Sequence, residues 1–209
     1  MTIYTDGPRT AGFLISEAGN HRSRDQATVD ATGAALAPGT ILGRKAVGAA
    51  TATAKAGNTG NATISAVTTG AGAKIGSYSV AFTAATKFDV TDPDGFRIRS
   101  GQTGTAYADD IGFTITAGGT AMVAGDGFDI VVAAGSGRYV RHDPDAGDGS
   151  QIEAAILFEG LAEDAVEPRT VVARDAEVAG SRLTYCAGAD TDQKAASNVA
   201  LARLGIIVR

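Results

Sequence analysis

The chain has 209 residues and a formal net charge of −5, from 18 basic and 23 acidic side chains. No run of Lys or Arg favours a nucleic-acid surface, and no apolar segment of about 18 residues is present to span a membrane. A hydrophobic fraction of 44% excludes a wholly disordered chain, but only 6% of residues are aromatic, so the core must use small side chains.

The first 25 residues have many polar groups and few regularly spaced apolar positions, which predicts an N-terminal arm. Gly7-Pro8 and Gly12 break any helix here and leave extended backbone. Extended backbone with isolated apolar anchors suits the addition of a strand to a partner's sheet. This region also lacks the basic and apolar blocks of a signal peptide. The candidate binding residues of the arm, including two arginines that could pair with acidic groups, are Ile3, Tyr4, Phe13, Leu14, Ile15, Arg22 and Arg24.

Strand-like runs follow in series along the rest of the chain. Several alternate with period two, as in Tyr78-Val80-Phe82, and Gly, Asp and Asn separate them at the spacing of a sandwich or barrel. The predicted strands cover residues 13–16, 26–30, 40–45, 62–67, 77–82, 87–91, 96–99, 111–116, 128–132, 137–141, 153–159, 169–174 and 181–186.

One helix is predicted near the C-terminus, within residues 190–205. Asp190 or Thr191 is a suitable N-cap, and Gly205 stands where a C-cap is expected. The predicted apolar face consists of Ala196, Ala200, Leu201 and Leu204. A terminal strand, "IIVR", then returns to a sheet. The predicted fold class is therefore mainly β with one C-terminal helix.

The composition changes between residues 47 and 135, where charged residues are sparse and Thr, Ala and Gly dominate. This segment has its own series of strands and the size of a small sandwich. We predict that it is an inserted β-sandwich-like domain whose ends lie close together. The predicted organisation is thus an arm at 1–25, a small β-rich host domain at 26–46 and 136–209, and the insertion at 47–135.

Two Asp-rich turns, at residues 91–95 and 142–153, could be taken for calcium sites. In the second, Asp143 and Asp145 fit the first two ligand positions of an EF-hand loop, but Gly147 falls on the third and Asp148 on the sixth. Asp-Pro-Asp-Gly also forms turns without a metal, because Asp bonds its own backbone. We therefore interpret both as turns and expect neither metal nor cofactor.

The sequence does not favour an enzyme. Its two histidines, His21 and His142, lie in the arm and in a turn, outside any nucleophile elbow, and no P-loop, zinc spacing or dinucleotide fingerprint occurs. The single Cys186 cannot form an internal disulfide, which fits folding in a reducing compartment. We interpret it as a buried small apolar residue rather than a reactive thiol.

Segments outside residues 47–135 together resemble the head decoration proteins of tailed bacteriophages, the family that contains the phage lambda decoration protein. The resemblance rests on the order of weak motifs: Ser-Arg-Asp in the arm, Pro-Gly-x-x-Leu-Gly, Gly-x-Tyr, Asp-Gly-Ser before an apolar strand, Val-Val-x-Arg and a terminal Gly-Ile. The middle segment is similar to a Gly/Thr/Ala-rich β domain inserted in some longer members, through "AKAGNTGNATIS", "GSYSVAF", "DPDGFRI" and "AGDGFDIVV".

This resemblance implies a structural protein of the virion rather than a catalyst. Members of the family bind the major capsid protein as homotrimers at three-fold and quasi-three-fold positions of the expanded head and stabilise it against DNA pressure. Their N-terminal arm orders against the shell. For this chain the resemblance implies a location on the virion capsid surface after synthesis in the bacterial cytoplasm, an insertion projecting outward, and no direct contact with nucleic acid or membrane.

A second hypothesis treats the chain as a surface-binding module whose inserted domain recognises a host glycan or cell surface. A sugar platform needs exposed rings, whereas Tyr78, Phe82, Phe113 and Phe128 stand at core-like positions of alternating strands. Tyr107, in "TAYADD", is the one candidate for an exposed glycan contact.

Overall fold

The computed structural model describes residues 7–19 and 22–209. The described chain is 44% strand with a single α-helix near its C-terminus, so the predicted fold class is confirmed. In chain order, the elements are β1 (Leu14–Glu17), β2 (Arg24–Asp30), β3 (Ile41–Arg44), β4 (Val47–Ala54), β5 (Thr63–Ile64), β6 (Thr68–Thr69), β7 (Gly76–Ala84), β8 (Lys87–Thr91), β9 (Arg97–Gln102), β10 (Ala106–Ala108), β11 (Ile111–Thr116), β12 (Gly127–Ala134), β13 (Tyr139–Arg141), β14 (Glu153–Leu157), β15 (Val166–Val172), β16 (Ala176–Val178), a 3-10 turn (Gly180–Arg182), α1 (Thr191–Arg203) and β17 (Ile206–Val208).

The chain forms two compact units. Unit 1 comprises the residues up to 45 together with 137–145 and 149–209, and unit 2 comprises 46–136 together with 146–148. Unit 1 contains a closed barrel of order β13-β2-β15-β14-β3 and a three-stranded sheet of order β1-β16-β17. In the barrel β13 pairs parallel to β2 and antiparallel to β3.

Unit 1 is stabilised by two apolar clusters on opposite faces of the barrel strands. Ile41 and Leu42 are adjacent in β3 but belong to different clusters, as do Ile156 and Leu157 in β14. Successive side chains of a strand point to opposite faces, so β3, β14 and β15 each contribute to both clusters. The cluster that contains Ile41 also includes residues of the three-stranded sheet and of α1.

The helix α1 begins as the sequence predicts. The side chain of Asp190 accepts a hydrogen bond from the Gln193 N–H, and the Gln193 side chain accepts one from the Asp190 N–H, which completes a capping box. Gly205 follows the helix with φ of +77°, a conformation that glycine adopts readily. The predicted apolar face is partly wrong, because Ala196 is exposed and the buried residues are Ser197 and Leu201, one turn apart.

Unit 2 has one large core between two sheets. The larger sheet has the order β4-β12-β7-β8-β9, and the smaller has the order β10-β11-β5 with β6 also paired to β11. Alternate residues of the predicted strands are buried as expected. The core residues are Tyr78, Val80, Phe82, Phe88, Val90, Tyr107, Ile111, Phe113, Ile115, Met122, Phe128, Ile130 and Val132.

Some strand predictions differ from the structure. Residues 181–186, predicted as a strand, begin in the 3-10 turn, and Thr184 then makes an isolated bridge to Thr40. Conversely, β4 was not predicted, since its Gly, Ala and Thr residues give no hydrophobic alternation. It forms because β12 supplies an antiparallel partner along its length.

Candidate functional site

The segment from Gly7 to Asp25 contains most of the predicted binding residues, and its second half belongs to the fold. Phe13 is only 2% exposed and packs in the apolar cluster of β3, β14 and the three-stranded sheet. Leu14 is half-buried against the same cluster, and β1 pairs antiparallel with β16. Within the predicted arm, Phe13 and the strands β1 and β2 are thus part of the packed and paired structure of unit 1. Phe13 and Leu14 have their apolar partners within unit 1.

The buried residue Ser23 connects the segment before β2 to the residue that follows β1 and to the residues before β16 by hydrogen bonds. Its buried hydroxyl donates to the Asp175 carbonyl oxygen at 2.6 Å and accepts the Ala18 N–H at 3.0 Å. The Ala173 N–H donates to the Ser23 carbonyl oxygen at 2.8 Å. Sequence analysis noted the Ser-Arg-Asp motif but did not identify the serine as this link between β1 and the residues before β16.

The two arginines predicted to contact a partner are paired inside unit 1. Arg24 donates from Nε and Nη2 to the two Glu17 carboxylate oxygens at 2.8 and 2.5 Å, and its guanidinium lies 4.2 Å from the centre of the Phe158 ring. Arg22 is more exposed, with Nε 3.3 Å from Asp175 Oδ2. Of the two, Arg22 has the guanidinium that can exchange its partner at little cost, because exposed ion pairs are weak.

The exposed part of the predicted binding set is smaller than expected. Ile15 is 55% exposed on β1, which is an edge strand of its sheet. Ile3 and Tyr4 lie outside the described residues. Beside β1, the residues that precede it and the 3-10 turn enclose a groove of about 530 Å³, lined by Gly7, Pro8, Arg9, Gly12, Phe13, Pro38, Ser181, Arg182, Leu183 and Thr184.

A second cavity, of about 460 Å³, lies beside α1 in unit 1 and includes His142, Glu153, Cys186 and Ser197. His142 is buried, with Nε2 3.4 Å from Glu153 Oε1 and 3.2 Å from the Gln151 carbonyl oxygen. The Ser197 hydroxyl donates to the same Glu153 oxygen at 2.6 Å. The serine thus bonds the carboxylate and not the imidazole, so Ser197 and His142 do not form a hydrogen-bonded serine–histidine pair. Cys186 is partly exposed, so the prediction that it is buried is wrong.

The aromatic residues of unit 2 correct the predicted glycan contact. Tyr107 is 3% exposed and stacks on Phe113 with ring centroids 4.9 Å apart. Burial raises the pKa of Tyr107 to about 12. The expectation of an exposed Tyr107 ring is wrong, because its position on β10 faces the core. Phe96, which was not singled out, is 71% exposed.

The Asp-Pro-Asp-Gly turn at residues 92–95 is held by hydrogen bonds and a lysine. Asp92 Oδ1 accepts the N–H groups of Asp94 and Phe96, at 3.1 and 2.8 Å. Lys74 Nζ lies 2.5 Å from Asp92 Oδ2 and 2.6 Å from Asp94 Oδ2. The hydrogen bond from Lys74 lowers the pKa of Asp92, and the two carboxylates raise the pKa of Lys74. A lysine ammonium therefore occupies the place between the carboxylates.

A third carboxylate, on Asp126, organises a longer loop of unit 2. Its two oxygens accept the N–H groups of Thr59, Gly60 and Val123 at 2.9 to 3.0 Å. These bonds, first the one from Thr59, lower the pKa of Asp126. The side chain connects residues 59–60 to the turn before β12, and sequence analysis did not single it out.

The described residues contain no group of three or more His, Cys, Asp or Glu side chains placed to hold a metal ion. Among the helices of residues 7–19 and 22–209, none has the length and apolar character needed to cross a membrane.

Comparison with known proteins identifies one family. The family model described as bacteriophage lambda head decoration protein D matches residues 3–91 and 102–206. The matched range includes most of unit 1, both before and after the long segment of unit 2, and most of unit 2 itself. No curated protein sequence matches the chain significantly.

Solved structures give shorter similarities. A crystal structure of FlgL from Xanthomonas campestris is 27% identical over 46% of this chain and 33% of that chain, with a TM-score of 0.35. The flagellar hook junction protein FlgK from Burkholderia pseudomallei is 23% identical over 62% of this chain and 23% of that chain, with a TM-score of 0.34. The chain thus spans a third or less of the length of these structures.

Proposed function

The chain belongs to the family of bacteriophage lambda head decoration protein D, and from this membership we propose that it is a cement protein that binds the expanded head as a homotrimer. Its partner is the major capsid protein at three-fold and quasi-three-fold positions, and its place is the outer surface of the virion capsid after synthesis in the host cytoplasm. The family is structural, and the chain acts by binding rather than by catalysis. The observation that carries the proposal is the family match along both parts of unit 1.

The contact with the shell is assigned to the residues that precede Phe13, with support from the groove and the β1 edge beside them. Phe13 and Leu14 are committed to the core of unit 1, so the apolar anchors available to a partner are Ile3 and Tyr4, followed by the exposed Ile15. An edge strand offers backbone N–H and C=O groups for pairing with an extended segment of the capsid protein. Three such contacts in a trimer act together and raise avidity.

We assign the trimer interface to unit 1, which is the host domain of the proposed organisation, with unit 2 as an insertion that projects outward. Unit 1 has large apolar side chains at its surface, which are candidates for burial between copies. These exposed residues are Ile152, Val166, Val199 and Ile207.

The test removes residues 2–8 from the full chain and measures binding to undecorated heads by cosedimentation. The truncation stops before Phe13, so unit 1 should keep its melting temperature while head binding is lost or sharply weakened. Ile15→Ala in the full chain is the matched variant that tests the β1 edge alone. If the truncated protein decorates heads as well as the full chain does, the assignment of binding to this segment is wrong.

A cement role also predicts that decorated heads resist heat better than bare heads. A ligand that binds only the assembled shell stabilises it by mass action. Heads with and without the protein should therefore break at different temperatures, measured by release of packaged DNA. Equal temperatures in the presence of bound protein would argue against stabilisation against DNA pressure.

The alternative function, recognition of a host glycan or cell surface by unit 2, is favoured by one observation. Phe96 exposes 71% of its surface directly after the Asp-Pro-Asp-Gly turn and is the ring that a sugar face could stack on. Phe96→Ala should abolish binding to host cells without changing head binding. Unchanged cell binding by this variant would remove the ring from the alternative.

A further inference from the structure

The strand β4 forms one edge of the larger sheet of unit 2. The register with β12 determines where its backbone groups point. The Lys55 N–H donates to the Gly127 carbonyl oxygen at 2.9 Å, and residues 53 and 51 face 129 and 131 in the same register. Hydrogen-bonded positions alternate in an antiparallel pair, so Ala50, Ala52 and Ala54 direct their N–H and C=O groups away from β12.

These outward groups are unpaired within the chain that the structure describes. Residues 48–54 have no backbone hydrogen-bond partner other than β12 among residues 7–19 and 22–209. Near the start of β4, the Asp148 carbonyl oxygen accepts the N–H groups of Ala46 and Val47, and β6 lies close to β4 without pairing with it. The open part of the edge is regular, because the irregularity in the β4–β12 register occurs between Val132 and Ala134, next to Val47.

The other edge of the same sheet shows how an edge strand is protected, and β4 lacks those features. The opposite edge, β9, carries Arg97 and Arg99 with their charged groups at the surface. Charged side chains on an edge strand oppose pairing with another sheet. The sequence of β4, "VGAATATA", contains no charge and no proline along eight residues. Unit 2 is therefore protected at one edge of its large sheet and open at the other.

The side chains of β4 also leave room for a second strand. Ala50 and Ala52 turn their methyl groups toward the core, while Thr51 and Thr53 are exposed on the other face. None of these side chains is long enough to cover the backbone edge. Thr residues facing each other across two strands are a favourable cross-strand pair.

We propose that β4 pairs antiparallel with β4 of a second copy of this chain, joining two larger sheets into one continuous sheet. Pairing of β4 with a second copy of itself brings no like charges together, because the strand is uncharged. A charged partner strand, by contrast, would have no opposite charge on β4 to pair with. If the two-fold axis passes through Thr51, Lys55 of one copy lies opposite Val47 of the other. If the axis passes through Ala52, Lys55 lies opposite Ala49. In both registers the two Lys55 side chains stay apart. An antiparallel pair of identical strands has two-fold symmetry and closes with two copies.

The test uses two full-length double variants with substitutions on the exposed face of β4. Thr51→Lys with Thr53→Lys places lysines opposite each other in a symmetric pair, whichever of the two registers forms. Thr51→Glu with Thr53→Glu does the same with carboxylates. Neither double substitution changes a side chain of the core or a backbone group that points away from β12. Thr51→Ser with Thr53→Ser is the matched uncharged control.

Self-association is measured by sedimentation over a concentration series that reaches the millimolar range. This range is chosen because copies held close together on one surface have an effective concentration of about that size. The wild-type chain and the Ser variant should form dimers through β4, in addition to any association mediated by unit 1. The Lys and Glu variants should each associate at least about tenfold more weakly, a difference of about 1.4 kcal/mol. An equimolar mixture of the two should regain pairing.

Two results would overturn the proposal. The first is equal sedimentation of the wild-type, Lys and Glu proteins at every concentration, which would mean that β4 pairs with nothing or with a different partner. The second is failure of the mixed Lys and Glu proteins to associate when the wild type does, because opposite charges across the proposed pair must restore it. Unchanged melting temperatures of all variants verify that unit 2 stays folded.

Discussion

At the scale of single residues, Phe13 and Ile15 show how two neighbouring apolar side chains take different roles. Phe13 lies 2% exposed among β3, β14 and the three-stranded sheet, whereas Ile15 is 55% exposed on β1. Both are anchors in a sequence-based interpretation of the arm. Phe13 lies in the turn before β1 and points into the core, whereas Ile15 lies within β1, at the edge of its sheet.

Phe13→Ala should destabilise unit 1 by about 3–5 kcal/mol, since removal of a buried phenyl group loses its transfer free energy and leaves a cavity. Ile15→Ala is the matched control and should change the free energy of unfolding by no more than about 0.5 kcal/mol, as for an ordinary surface substitution. Denaturant titration monitored on unit 1 measures both. A small effect of Phe13→Ala would mean that the side chain is not part of the core in solution.

Asp126 makes the stability of unit 2 depend on pH. Its folded-state pKa is lowered by the N–H groups of Thr59, Val123 and Gly60, so its contribution to stability is present above the unfolded value of 3.8. That contribution is lost as the pH falls through the lower folded pKa. Asp126→Asn should therefore lower the melting temperature of unit 2 at pH 7, and the gap from wild type should narrow below about pH 3.8.

The control for this prediction is Asp129→Asn, three residues along in β12. Asp129 accepts no backbone N–H group from the loop and lies at the surface, 3.6 Å from Lys55 Nζ. Its substitution should leave the melting temperature of unit 2 nearly unchanged at pH 7. If the difference in melting temperature between wild type and Asp126→Asn stays constant down to pH 2, the loop bonds do not depend on the ionised carboxylate.

At the scale of elements, the helix α1 depends on its first turn. Its sequence has few large apolar residues, and only Ser197 and Leu201 are buried, so packing contributes little and the cap contributes more. The capping box on Asp190 and Gln193 satisfies backbone groups that an uncapped helix leaves to water.

Asp190→Ala should destabilise α1 by about 0.5–2 kcal/mol through loss of the cap. Asp192→Ala removes a first-turn carboxylate without removing the cap, and should cost no more than about 0.3–1 kcal/mol from the helix dipole. Hydrogen exchange of the α1 amides measures the local opening free energy directly. Equal protection in the two variants would mean that the cap does not control the helix.

At the scale of the whole molecule, the long segment of unit 2, residues 46–136, leaves and re-enters unit 1 at neighbouring residues. The Lys45 N–H donates to the Arg138 carbonyl oxygen at 3.0 Å, and the Gly137 N–H donates to the Lys45 carbonyl oxygen at 2.9 Å. These bonds hold the two connecting points side by side. The chain can therefore leave unit 1 after Lys45 and return at Gly137 without separating β3 from β13.

Deletion of residues 47–135 with the ends joined should leave unit 1 folded and still able to bind heads. The barrel pairings of β3 with β13 and β14 do not involve the deleted residues. Circular dichroism and cosedimentation with undecorated heads measure folding and binding, and the full chain is the reference. A folded deletion variant that does not bind heads would show that unit 2 contributes to capsid binding.

Much of the architecture was determined by the sequence alone, because the signals are local. Alternating residues in β7, β8, β11 and β12 specify a buried face, and Asp190 and Gly205 mark the ends of the helix. An ordered set of weak motifs also sufficed to indicate the family. Such signals are formed by residues a few positions apart, which sequence reasoning can compare directly.

Only the tertiary structure decided the environment of individual side chains. Phe13 is buried because Val178 and Ile206 come from the far end of the chain, and Tyr107 is buried because Phe113 stacks on it from the neighbouring strand β11. β4 is a strand because β12 lies beside it, although its own residues show no strand pattern. Burial and pairing depend on partners that are distant in sequence, and those partners come together only when the chain folds.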